Sequence, residues 1–114
     1  MTAAQFREIA LSFPQTVEAA HMGHPDFRVG GKIFATLGYP NEGHGVLLLS
    51  PEEQRELIRQ HPKMFESVPG GWGRRGSTQV LLKQITRPIL KAAMRKAWKR
   101  KAPKRLSESR LAAK

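Results

Sequence analysis

The sequence predicts an α+β fold, a two-layer sandwich in which a mostly antiparallel sheet is backed by helices. Stretches with helical periodicity stand at the beginning, middle and end of the 114 residues. Between them lie short apolar or β-branched runs separated by Gly, Pro and Asn, the pattern of strands joined by hairpins. Helices separated from the strands in this way collect on one face of an antiparallel sheet. The predicted order of elements is α-β-β-β-β-α-β-β-α.

The first half of the chain predicts one helix and four strands. Residues 2–12 form a helix because apolar side chains recur at i, i+3, i+4 and i+7 after the capping residue Thr2, and Pro14 ends it. Gly30 and Gly31 predict a two-residue hairpin turn, since both positions tolerate a positive φ angle. The four strands are expected near residues 16–22, 26–29, 32–37 and 45–49.

The second half predicts a helix, two strands and a final helix. Ser50 caps a helix over residues 51–60, and Glu53 completes a capping box. The last helix runs from about Thr86 to Lys101. A single domain therefore covers residues 1–103, and residues 104–114 are expected to be a basic, flexible tail. The two strands are placed at residues 65–68 and 77–83, with a glycine-rich loop between them at residues 69–76.

Positive charge is concentrated in the last quarter of the chain. The segment from Arg87 to Lys114 holds 11 Lys or Arg and one acid, whereas residues 1–86 hold 9 basic and 8 acidic residues. A near-neutral body with a strongly basic end presents that end first to a polyanion. Nucleic acid is the polyanion that this charge distribution favours.

Composition also excludes several kinds of site. The chain has no cysteine, which excludes disulfides, thiol nucleophiles and thiolate metal sites. The first residues lack the basic start and apolar core of a signal peptide. The longest strongly apolar run, Val46 to Leu49, is far too short to span a bilayer. We therefore expect a cytoplasmic, monomeric protein without membrane contact.

The last helix is expected to have one apolar and one cationic face. Ile89, Leu90, Ala93, Met94, Ala97 and Trp98 share the arc that should pack on the sheet. The opposite arc has no interleaved acid, and like charges four residues apart destabilise a helix unless a polyanion meets them. The residues expected to hold phosphates are Arg87, Lys91, Arg95, Lys99 and Arg100.

Arg74 and Arg75 lie in the glycine-rich loop, where they could enter a nucleic-acid groove as a wing, because Arg suits guanine edges. An ordinary surface turn fits the pattern equally well, with Trp72 covering the edge of the core. The loop is not a P-loop, since it lacks the Lys and the Ser or Thr of that motif.

His21, His24 and Asp26 form a second polar group, which leaves an enzymatic alternative open. Two His and an Asp could bind a metal ion or act as a general base. Their spacing matches no known metal motif, and strand alternation separates His21 from Asp26 unless Gly23 and Pro25 supply a turn. We therefore predict no catalytic residue, metal ligand, cofactor or small-molecule substrate.

The segment from His24 to Leu37, HPDFRVGGKIFATL, resembles the signature hairpin of the MmcQ/YjbR family. The resemblance extends in order over about residues 4–105, including Phe13-Pro14, Trp72-Gly73 and Ala97-Trp98. It implies a frataxin-like (CyaY-like) α+β fold and DNA binding through a proposed double-wing mode. No enzymatic activity or cofactor comes with it.

The chain departs from the family pattern in two ways, at Ser77 and in the basic tail, residues 104–114, which extends past the family core. If the tail dominates binding, the folded domain is not the part that reads the nucleic acid. Ser77 stands before Thr78, where family members often have Trp, so an aromatic stacking role is lost there. The frataxin likeness also suggests iron, which depends on an acidic first helix. Here that helix carries only Glu8, next to Arg7, so iron delivery is not expected.

The sequence therefore predicts a small, non-enzymatic nucleic-acid-binding protein, with DNA favoured over RNA. Two alternatives stay open. One is a protein-interaction module whose basic helix binds an acidic partner or an anionic surface. The other is an enzyme that uses His21, His24 and Asp26.

Overall fold

The computed structural model of the protein describes residues 1–106. A helical turn at residues 104–106 follows the regular elements. The helices are α1 (Ala3–Leu11), α2 (Pro51–Gln60), α3 (Gly71–Arg74) and α4 (Arg87–Lys101). The strands are β1 (Val17–His21), β2 (His24–Val29), β3 (Lys32–Leu37), β4 (His44–Leu48), β5 (Phe65–Ser67) and β6 (Ser77–Leu81).

The strands within residues 1–106 form one six-stranded sheet in the order β1-β2-β3-β4-β6-β5. Every neighbouring pair is antiparallel. Side chains of α1 and α4 share one apolar core with the sheet, for example Phe6, Phe27 and Met94, which are all fully buried. The α+β sandwich with an antiparallel sheet is thereby confirmed.

Helix α4 packs on the sheet with the apolar face that its periodicity predicts. Leu90, Ala93, Met94, Ala97 and Trp98 are buried in the core, and Ile89 packs against it. The indole of Trp98 stacks on Phe13 at a centroid distance of 6.0 Å and donates a hydrogen bond of 3.1 Å to the Pro14 carbonyl. These contacts tie the end of α4 to the segment that follows α1.

Local capping signals are confirmed at two of the three predicted helix starts. Thr2 with Gln5, and Ser50 with Glu53, form complete capping boxes at α1 and α2. Thr86 is the N-cap residue of α4, but its side chain makes no capping hydrogen bond.

Of the first two hairpins, one matches the prediction and one does not. Gly30 and Gly31 turn between β2 and β3 with φ angles of 59° and 78°. The preceding turn is Met22-Gly23, with φ angles of 49° and 80°, and not a loop through Pro25. Because this turn is also a two-residue one, His21 pairs with His24 and β2 begins two residues before its predicted start.

The expected glycine-rich loop contains the short helix α3. The Gln54 side-chain amide of α2 donates hydrogen bonds of 3.0 Å to the Gly73 carbonyl and 2.9 Å to the Ser77 carbonyl. Gly73 is buried so closely that a Cβ atom there would collide with the Val68 carbonyl oxygen. Residues 71–74 are therefore held against the body by α2, and the prediction of a loop is wrong for them.

The end of the described chain continues to contact the core. Leu106 is half-buried against the core cluster, and its amide donates a 2.9 Å hydrogen bond to the Pro103 carbonyl. The rest of the predicted tail, residues 107–114, lies outside the described residues. No helix in residues 1–106 has both the length and the apolar character needed to cross a bilayer.

Candidate functional site

The solvent face of α4 carries a row of cations, Lys91, Arg95 and Lys99, which we call the α4 ridge. All three side chains are exposed, and none makes a hydrogen bond or ion pair with another residue of the described chain. They are spaced four residues apart, so the ridge is about 12 Å long at 1.5 Å of rise per residue.

The cations next to the ridge are partly matched by acids. Arg87 forms a 3.0 Å ion pair with Glu8 of α1. Lys96 is close enough to Glu56 of α2 to contribute to the lowered pKa of that carboxyl, although the hydrogen bond from Arg59 is the main cause. Of the cations on the outer face of α4, the ridge residues are thus those without an acidic partner.

Arg100 points away from the ridge, although it was predicted to bind phosphate with it. Its guanidinium donates a 3.0 Å hydrogen bond to the Leu48 carbonyl and lies 3.9 Å from a carboxylate oxygen of Glu53. Arg100 and Lys101 instead line a cavity on the other side of the sheet. The five cations predicted on α4 therefore belong to two surfaces.

The cavity has a volume of about 730 Å³ and lies on the sheet face opposite α1. Its floor is formed by Ile33 and Thr36 of β3 and by Val46 and Leu48 of β4. An irregularity in the pairing of β2 with β3 brings Ile33 and Thr36, which are three residues apart, to the same face. The other face of the same strands points into the core. Side-chain alternation along a strand separates the two surfaces.

Aromatic side chains gather at the end of the cavity where β3 finishes. Tyr39 contacts His24 edge to face and Trp72 at a tilt, with centroid distances of 6.2 Å in both cases. Trp72 is carried by α3, and 56% of it is exposed. It therefore does not simply cover the core edge, which was one of the two interpretations of the sequence.

Cations stand at the opposite end of the cavity, where β4 finishes and β6 begins. They are Arg100, which is bonded to the Leu48 carbonyl, and its neighbour Lys101. Arg75, which follows α3, also lines the cavity. Burial, followed by the nearby charges of Arg100 and Lys32, lowers the pKa of Lys101. No acidic side chain lines the cavity in the described part of the chain. This end of the cavity is therefore electropositive.

Beside the cavity, Asp26 is a buried carboxylate in contact with Arg28 and His21. Arg28 donates to it through Nε at 2.7 Å and Nη2 at 3.0 Å, and Nδ1 of His21 lies 2.7 Å from its second oxygen. The hydrogen bonds from Arg28 hold the pKa of Asp26 below its usual value, and Asp26 raises the pKa of Arg28 in return. Burial of Asp26 opposes this shift without overcoming it.

The turn at Met22-Gly23 brings His21 and Asp26 to one face, the arrangement that the sequence left open. His24 lines the cavity and contacts Tyr39, and has no hydrogen bond to Asp26. Arg28 was not predicted to join this group. It lies two residues after Asp26 in β2, and residues two apart in a strand share a face. Residues 1–106 contain no group of three or more His, Asp or Glu side chains able to hold a metal ion.

The predicted loop residues divide between the cavity and the solvent. Arg74 and Arg75 are both exposed, but only Arg75 lines the cavity. Tyr39 and Lys101 were not predicted as site residues. The sequence around Tyr39 indicates only an aromatic residue in a loop, and the sequence around Lys101 indicates only the end of a helix. Neither pattern predicts a binding site.

Comparison with known proteins identifies the family. A model of the YjbR family matches residues 11–100. No curated protein matches the chain. The fold is similar to that of the Deinococcus radiodurans protein DR2400, whose crystal structure contains a DUF419 domain. The TM-score is 0.72 at 17% sequence identity, covering 95% of this chain and 86% of that chain. Because the family match spans most of its residues, the chain belongs to the YjbR family.

Proposed function

We propose that the protein binds nucleic acid, DNA in preference to RNA, through the α4 ridge, and that it catalyses no reaction. The observation that supports this proposal is the row of exposed cations at Lys91, Arg95 and Lys99, which no acid of the described chain neutralises. Some cations on other surfaces are paired, as in the 2.9 Å contact between Arg7 and Glu18, and others such as Lys63 have no partner within residues 1–106. The ridge differs from both because three cations, unpaired within the described chain, follow one another along a single helix face. A phosphate backbone provides the counter-charge that the ridge lacks.

The energetics of the ridge also favour a polyanion. Like charges four residues apart on a helix cost a few tenths of a kcal/mol per pair, so the ridge slightly destabilises the free protein. Contact with phosphates removes this repulsion and releases counterions from the nucleic acid. Such contacts set affinity and register rather than sequence preference.

Charge reversal on the ridge tests the proposal. We would measure binding of a labelled random-sequence DNA duplex by fluorescence anisotropy across a salt series. The double variant Arg95→Glu with Lys99→Glu removes two phosphate contacts, so the log–log salt slope should fall by about 1.8. The matched control is Lys63→Glu with Lys83→Glu, which changes net charge equally at two exposed lysines outside α4. Equal losses in both variants, or no loss in either, would show that the ridge is not the binding surface.

A shortened chain separates the ridge from the basic tail. Leu106 packs against the core, so the cut belongs after this residue. Residues 107–114 contain two cations and one acid. Their removal should therefore lower the salt slope by at most about 1.8 and leave binding measurable. Complete loss of binding in the shortened chain would assign the activity to the tail.

Competition distinguishes the remaining alternatives. Unlabelled duplex RNA of the same sequence should displace the DNA less effectively than unlabelled DNA does. Equal displacement by RNA, or by an acidic polypeptide such as polyglutamate, would favour a general surface for acidic partners over a DNA-binding protein.

A further inference from the structure

The cavity on the open sheet face has the size and lining of a ligand site. Its volume of about 730 Å³ is within the range of pockets that hold small organic ligands, about 300–1,000 Å³. The floor is mainly aliphatic, and the aromatic rings of Tyr39 and Trp72 stand above one end. More than half of the Trp72 side chain is exposed. A flat ring that stacked on Trp72 would bury both this indole and the floor.

The other end of the cavity is suited to an anion. Arg75 has no ion pair within residues 1–106, while Arg100 is partly neutralised by Glu53. Lys101 is half-buried, and burial, followed by the charges of Arg100 and Lys32, lowers its pKa. A phosphate between Arg75 and Lys101 would accept hydrogen bonds from both side chains and relieve the repulsion among these cations.

The two ends are separated by the length of β4. Gly45 pairs with Leu37 at the aromatic end, and Leu48 pairs with Ser77 at the cationic end. Leu48 lies three positions after Gly45 in β4, which is a rise of about 10 Å. A nucleotide places an aromatic base and a phosphate at the two ends of one sugar, so it can reach both parts of the cavity.

We propose that this cavity binds a nucleotide, with the base stacked on Trp72 and the phosphate held by Arg75 and Lys101. The inference rests on the nucleic-acid function proposed above. It adds to the α4 ridge a second contact surface, which binds one nucleotide whose base is not stacked on a neighbouring base. Helix α4 connects the two surfaces, since the ridge ends at Lys99 and the cavity begins at Arg100. A free mononucleotide and a nucleotide within a single strand offer the same chemistry.

Two probes distinguish these sources. Deoxyadenosine monophosphate is titrated by calorimetry, and a labelled short oligodeoxyadenylate by anisotropy. Trp72→Ala should weaken binding of whichever probe occupies the cavity by about five- to a hundredfold, the range for loss of one base–aromatic stack. Trp72→Phe should restore most of the affinity, because it keeps a ring. Binding of both probes assigns the cavity to free nucleotides as well, and binding of the oligonucleotide alone assigns it to single strands.

Two neighbouring arginines, Arg74 at the end of α3 and Arg75 directly after it, provide a matched pair. Arg75→Ala should weaken probe binding at least about tenfold, the loss expected for one hydrogen bond to a charged group, whereas Arg74→Ala, a change one residue away and outside the cavity, should not. The Trp72→Ala variant should retain duplex affinity, and the Arg95→Glu, Lys99→Glu variant should retain mononucleotide affinity. These variants therefore test the proposal that the α4 ridge binds duplex DNA separately from the proposal that the cavity binds a nucleotide. If neither probe binds, or if Trp72→Ala and Arg75→Ala bind as the wild type does, the nucleotide proposal is wrong.

Discussion

Replacing Asp26 by Asn should markedly destabilise the fold. The buried carboxylate accepts three contacts of 2.7 to 3.0 Å from Arg28 and His21. An asparagine keeps one acceptor oxygen and turns an amide nitrogen toward a donor. Hydrogen bonds to charged groups contribute about 1.5–3 kcal/mol each. Since Arg28 and His21 are partly exposed and can be rehydrated, we expect a total loss of about 2–4 kcal/mol.

Urea denaturation at neutral pH and thermal unfolding measure this loss. With an unfolding entropy of about 2.1 cal/mol/K per residue, each kcal/mol corresponds to about 4 °C in a chain of 114 residues. The melting temperature of Asp26→Asn should therefore lie about 8–17 °C below that of the wild type. The matched control is Glu18→Gln, which removes one charge from the exposed pair with Arg7 and should cost less than about 1 kcal/mol.

The effect of Asp26 should also depend on pH. Arg28 lowers the folded-state pKa of Asp26 below its unfolded value, so the carboxylate stabilises the protein fully above about pH 5. This contribution is lost as the pH falls through the lowered folded-state pKa. The difference between wild type and Asp26→Asn should thus be constant near neutrality and shrink below about pH 4. A difference under about 0.5 kcal/mol at pH 7, or one that grows on acidification, would refute the stabilising role of the cluster.

Three further substitutions test packing by urea denaturation. Gly45→Ala should cost about 1–3 kcal/mol, because the added Cβ would lie 2.6 Å from the ring of Phe6; an unchanged midpoint would contradict the close contact. Trp98→Phe should cost about 1–2 kcal/mol, since the Pro14 carbonyl loses its indole donor; wild-type stability would mean that this bond contributes nothing. Gly73→Ala should cost about 3 kcal/mol or more, because the methyl group meets a backbone carbonyl; a neutral effect would show that α3 can move freely.

The most accurate sequence predictions concern features encoded over a few residues. The apolar arc of α4, the cap at Thr2, the capping box at Ser50 and the Gly30-Gly31 turn all depend on side chains close in sequence. Periodicity and turn chemistry report such features directly. The same local rules misplaced the first hairpin, because a turn of Met22 and Gly23 carries a weaker signal than two adjacent glycines.

Residues 71–74 show why a prediction from neighbouring residues can fail. Glycines and arginines predict a loop, yet Gln54, 19 residues earlier in the chain, donates a hydrogen bond to the Gly73 carbonyl and helps hold α3 against the body. Burial in a tertiary contact overrides weak helix propensity. The position of Trp72 beside Tyr39 follows from that contact, and no pattern within either segment predicts it.

By itself, the sequence determined the fold class, the order of most elements and the separation of a cationic from an apolar face on α4. Each depends on spacing along the chain. Only the tertiary structure decided that Arg100 leaves the ridge for the cavity, and that Arg28 joins His21 at Asp26. These arrangements depend on which strand lies beside which, and in what register. That information resides in contacts between residues distant in sequence, where local periodicity carries no signal.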